Sequence, residues 1–117
     1  MGDCDDLVVL YASFLESVGI NTAFVEVRDP EKDMAHLYLV FDTGLAAQEG
    51  HLITSNEKRY VLRGASAGRP TVWIPVETTL IEAGFDQAWN AGAMAYLQEG
   101  VLRSGIAQGW VRIIDVD

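Results

Sequence analysis

Three side chains in this 117-residue sequence have the types that nucleophilic acyl chemistry requires: Cys4, His36 and Glu77. The opening stretch "MGDCDDLVVLYASFLESVGI" places the only cysteine where a helix begins, so the thiol faces unpaired backbone N–H groups and the positive end of the helix dipole. The dipole contributes about 0.3–1 kcal/mol at an exposed terminus, and the neighbouring Asp3, Asp5 and Asp6 oppose thiolate formation by a comparable amount. The helix start therefore aims the thiol without activating it. An imidazole within hydrogen-bond reach is needed to keep the thiolate populated near neutral pH. In such a group the thiolate attacks, the imidazole takes the thiol proton and later returns one to the leaving amine, and the carboxylate fixes the imidazole tautomer.

The elements that must position these groups are readable from periodicity. From Asp5 to Val18 the apolar positions Leu7, Leu10, Tyr11, Phe14, Leu15 and Val18 predict one helical face, with Asp3 as N-cap and Gly19 as a left-handed stop. "NTAFVEV" (residues 21–27) predicts a strand, "RDPEKD" (28–33) a charged turn, and "MAHLYLVFD" (34–42) a second strand. In the latter, Leu37, Leu39 and Phe41 share one face and His36, Tyr38, Val40 and Asp42 the other. "HLIT" and "RYVLR" around "SNEK" predict a hairpin set apart from the main sheet. "TVWIPVE" (71–77) predicts a strand with Trp73, Pro75 and Glu77 on one face, and Pro75 puts it at an edge or at a local break. "FDQAWNAGAMAYLQEG" predicts a second helix and "WVRIIDV" a last strand. If the strands 34–42 and 71–77 pair antiparallel, the start of one lies beside the end of the other, and His36 meets Glu77 with Cβ atoms about 5 Å apart.

The bulk composition limits what else the chain can be. At 12.8 kDa it fits one domain with a real core, residues 1–117, and no stretch reaches the length of a membrane span. A net charge of −9 argues against nucleic-acid binding. Residues 1–20 carry acids in place of the basic start of a signal peptide, and a motif that begins at Gly2 suggests a domain taken from a longer protein. A single cysteine excludes an internal disulfide and leaves the compartment open, as is the oligomeric state.

Three segments in order resemble the transglutaminase-like superfamily of papain-like cysteine enzymes, in its bacterial-type transglutaminase-like domain. "GDCDDLVVLYASFLESVGI" is similar to its Gly-x-Cys motif and helix, "AHLYLVFD" to its histidine strand, and "WIPVETT" to its Trp-x-Pro-Val-Asp-x-Thr strand. The resemblance covers Gly2 to about Thr79 and implies an α+β papain-like core, with the nucleophile on an N-terminal helix packed on a mainly antiparallel sheet. It implies a Cys4–His36–Glu77 triad. The acid departs from the family's usual Asp by one methylene. Such enzymes often place a second oxyanion donor and part of the groove in an upstream segment that is absent here, so activity is expected of the full-length parent rather than of the excised domain.

The remaining candidates are secondary. Trp73 shares the Glu77 face, and Tyr38 the His36 face, so each is a candidate substrate contact. His51 is expected at the surface without a role. Asp3, Cys4, Asp5 and Asp6 point in different directions around a helical turn, and "GASAGRP" lacks a phosphate-binding pattern, so neither a metal nor a cofactor is expected. The expected function is cysteine-dependent acyl transfer on peptide or carboxamide bonds. Water as acceptor makes it a protease or amidase, and an amine makes it a transglutaminase-type transferase. The alternative is a non-catalytic peptide- or protein-binding module on the same scaffold.

Overall fold

The leading helix, α1 (Gly2–Ser17), buries a stripe rotated from the one its spacing predicts, sharing Tyr11 and Leu15 with it but turning Leu10, Phe14 and Val18 outward. In the computed structural model, which describes residues 2–31, 34–64 and 69–116 (without the side chains of residues 2–5 and 34), Val8 and Ala12 are fully covered. Tyr11 and Leu15 pack beside Val8, whereas Leu10 and Phe14 are 63% and 62% exposed and Val18 also faces outward. Both stripes have helical spacing, so periodicity cannot choose between them. The helix ends as expected: Gly19 has φ 87°, Ile20 N–H donates to Leu15 O at 2.9 Å and Gly19 N–H to Glu16 O at 3.0 Å, the two bonds of a Schellman motif.

Five antiparallel strands follow: β1 (Thr22–Asp29), β2 (Met34–Ala46), β3 (Val61–Gly64), β4 (Pro70–Val76) and β5 (Val111–Asp115), in the spatial order β3-β4-β2-β1-β5. With the helices they make an α+β domain in which the sheet curls into a half-barrel. The alternation read from β2 and β4 decides the two layers. Leu39, Ile74 and Val76 face α1 and α2 (Phe85–Ala95), joined by Leu37 and Phe41, with Ala88, Trp89 and Ala93 from α2. Tyr38, Val40 and Trp73 face the other way, together with Ala23, Val25, Val27, Val61 and Val111, under Tyr96 and Trp110. Because both faces are covered, the centre of the sheet is apolar throughout, and each fully buried Val or Leu there contributes about 1.5–3 kcal/mol.

The expected hairpin around "SNEK" does not form. Ala47–Leu52 and Glu57–Arg59 are 3-10 turns, and the strand from that region, β3, pairs with β4 in the main sheet. His51 and Leu52 are exposed and give a strand nothing to bury, whereas Val61 and Leu62 lie opposite Trp73 and Val72. Pro75 is tolerated for a related reason. The β3–β4 pairing stops at Trp73, so Pro75 lies beyond it with β2 alone alongside. Helix α2, which continues as a π-helix over Tyr96–Leu102, rests on that same stretch. The short helix α3 (Gly105–Gln108) precedes β5 and carries no strong sequence signal.

At Gly92 the α2 backbone comes so near β4 that an added Cβ would lie 2.6 Å from the Pro75 carbonyl carbon and 2.7 Å from Val76 N. Since backbone cannot swing aside as a side-chain tip can, Gly92→Ala is expected to destabilise the domain by about 1–3 kcal/mol in urea denaturation, despite alanine's better helix propensity.

Candidate active site

His36 stands near the start of β2, opposite Val27 of β1, and Glu77 is the residue at which the chain leaves β4. The β2–β4 register sets Leu39 against Val76, and one step further it sets Glu77 against Tyr38, so His36 and Glu77 are diagonal neighbours on one side of the sheet rather than the directly opposed pair expected. There His36 Nε2 and Glu77 Oε1 are 2.5 Å apart. The histidine side chain is 34% exposed and the glutamate 12%, which puts the carboxylate behind the imidazole and turns the ring toward solvent.

The second carboxylate oxygen is also held. Glu77 caps the 3-10 turn Thr78–Ala83, and its Oε2 accepts from Thr79 Oγ1 at 2.9 Å and, more weakly, from Thr79 N at 3.4 Å. Its own N–H donates to Ala88 O of α2 at 3.0 Å, which ties the backbone of the acid to the helix resting on β4. Burial pushes the Glu77 carboxyl upward, but the hydrogen bond and charge of His36, with the Thr79 bonds behind them, outweigh it and hold the carboxyl below its ordinary value. An ionised carboxylate only accepts, so His36 Nε2 carries the hydrogen of this bond, and in the neutral form of the ring that assignment leaves the lone pair on Nδ1.

Tyr38, two residues along the same face, has its ring 6.0 Å from that of His36. It is wholly buried beside the imidazole, so it is a core residue rather than the substrate contact expected of it. Burial, followed by the nearby Glu99, Tyr96 and Glu77, pushes its hydroxyl well above the ordinary tyrosine range, and it stays protonated. The Tyr38 and Thr78 hydroxyls are buried without a hydrogen-bond partner among the described residues. Trp73 is likewise in the core, with Arg63 over its ring at 4.5 Å and its Nε1 donating to Thr71 Oγ1 at 3.0 Å. Four residue steps along the strand separate it from Glu77, about 13 Å. It shares the face of the acid but is too far along the strand, and too well covered, to wall a groove at His36.

Cys4 lies in the first turn of α1, and its side chain is outside the described residues. His51 is exposed, with Nδ1 3.1 Å from Gln48 O, far from the pair in sequence and in role. Among the described residues no group of three or more His, Cys, Asp or Glu could hold a metal ion, and no helix is long and apolar enough to cross a membrane. Sequence reading missed the part played by Thr79. Its signal was a hydroxyl residue two places after an acid at a strand end, the spacing of a side-chain-capped turn. Comparison with family models, with curated proteins and with solved structures returned no match to this chain.

The sign of the pH dependence follows from the lowered carboxyl. The unfolded side chain titrates near 4.5 and the folded one below it, so the stabilisation is fully present above the unfolded value and is lost as pH falls through the folded one. The stability advantage of the wild type over Glu77→Gln should therefore shrink between about pH 6 and about pH 3 in urea titrations. An advantage that stays constant over this range would show that the carboxylate is not held as described.

Proposed function

We propose that this chain is a cysteine-dependent acyl-transfer domain acting on peptide or carboxamide bonds, on a papain-like core of the transglutaminase-like kind. The observation that carries the reading is the His36–Glu77 pair, an imidazole oriented by a carboxylate at the end of the sheet toward which α1 points its first turn.

That direction follows from distances along the elements. The far end of α1 is tied to the sheet by Glu16 Oε2, which accepts from Thr22 N at 2.7 Å, and Thr22 is opposite Phe41. From residue 16 back to residue 4 the helix rises about 18 Å. From Phe41 back to His36, β2 covers about 17 Å. Midway, Val8 is buried in one cluster with Leu39 and Val76, so helix and strand run side by side over this length. Position 4 precedes Val8 by one turn on the same face of α1. Helix α1 lies on the Leu39 face and His36 on the Tyr38 face, so the reading requires the thiol to reach the imidazole around the flank of β2 upstream of Leu39, past the last described β2–β4 pair.

With these groups the chemistry runs as follows. Nδ1 of His36 takes the thiol proton of Cys4, and the thiolate attacks the carbonyl carbon. The C–N bond then breaks as the imidazolium returns the proton to the leaving amine. The resulting thioester is resolved by water or by an amine, with Nδ1 again as base. Glu77 keeps Nε2 protonated and stabilises the imidazolium, the role of the acid in Ser-His-Asp sites.

A free thiol at about pH 6 is only about 0.3% thiolate, whereas a thiol paired with imidazolium is half or more ionised. The lower nucleophilicity of a more acidic thiol cancels roughly a factor of ten of that gain. Cys4 is thus expected to react with iodoacetamide about tenfold faster than a free thiol at this pH. His36→Ala should abolish the excess and Glu77→Gln should reduce it. Consumption of a carboxamide peptide that disappears in Cys4→Ser completes the test. Equal alkylation rates in wild type and His36→Ala would overturn the reading and leave a binding module.

A further inference from the structure

We infer that Thr79 is a positioning residue of the site: its hydroxyl holds the outer oxygen of Glu77 so that the inner one stays on His36 Nε2. This rests on the reading of His36 and Glu77 given above and adds a fourth member to it. A glutamate has one more torsion than an aspartate, and a carboxylate at the end of that longer arm reaches an imidazole only if something stops its rotation. The two oxygens are divided between two partners, Oε1 to His36 at 2.5 Å and Oε2 to Thr79 Oγ1 at 2.9 Å. The backbone N–H of Thr79 lies at 3.4 Å, at the long limit of a hydrogen bond, so the hydroxyl is the stronger of the two Thr79 contacts. A bond on one oxygen fixes the plane of the carboxylate, and with it the direction in which the other oxygen's lone pairs point.

Thr79 is exposed, so its side chain is not needed for the core and Thr79→Val is expected to fold. In wild type, the His36 Nε2–H proton should give the downfield NMR signal of an imidazole bonded to a carboxylate. That signal should be lost or shifted upfield in Thr79→Val and restored in Thr79→Ser, which returns the hydroxyl. It should also be lost in Glu77→Gln, on which Thr79→Val then adds nothing. Alkylation of Cys4 should slow by about 2- to 10-fold in Thr79→Val, the factor expected for one hydrogen bond to the acid. A signal unchanged in Thr79→Val would overturn the proposal and reduce Thr79 to a cap of its own turn. The NMR readout does not involve the thiol, so a Cys4 with ordinary reactivity would sink the enzymatic reading while leaving the Thr79 result to stand or fall separately.

Discussion

The antiparallel register that sets Leu39 of β2 against Val76 of β4 is the constraint on which the site depends. Side chains alternate along a strand, so a slip of one residue would send His36 and Glu77 to opposite faces and would part Leu39 from Val76, moving one of them into the other apolar layer in the same step. The apolar layers on the two faces therefore hold the His36–Glu77 hydrogen bond in place, although neither layer touches it for chemical reasons. Helix α2 adds a clamp, lying on the Pro75–Val76 backbone through Gly92 and accepting the Glu77 N–H at Ala88. The acid is fixed by its backbone before its side chain is considered.

The polar groups of the site lie where two strands run out. In the middle of the sheet both faces are sealed, and a carboxylate there would bear the full cost of desolvation. At the end of β4 the chain turns outward, so Glu77 is sheltered enough for its hydrogen bonds to be strong and open enough to remain charged. Trp73 and Tyr38 show the reverse. Both carry a polar atom on a large ring, and both are in the core, where their area stabilises the fold.

Much of this was legible in the residues, and the exceptions have physical causes. The alternation of β2 and β4 sorted their side chains to the correct faces. Gly19 marked the end of α1, and Pro75 marked the place where β4 has a strand on one side only. Each of these rests on a rule about backbone geometry that acts within a few residues. The buried side of α1 was misread, because Leu10, Phe14 and Val18 are as apolar and as well spaced as Val8, Tyr11 and Leu15. The region 47–64 was misread because β3 finds its partner in β4 and not in its immediate neighbour.

What belongs to the chain before folding is the inventory and its local geometry: a thiol in the first turn of a helix, an imidazole on an alternating strand, and an acid at the end of another. These follow from the residues and from contacts three or four positions away, which are the same in any fold. Which stripe of α1 meets the sheet, which strand lies beside β3, and whether Glu77 reaches His36 with Thr79 behind it were decided only when segments some forty residues apart came together. The reason is that those choices are made by the burial of apolar area and by strand register, and both quantities exist only between segments that have already met.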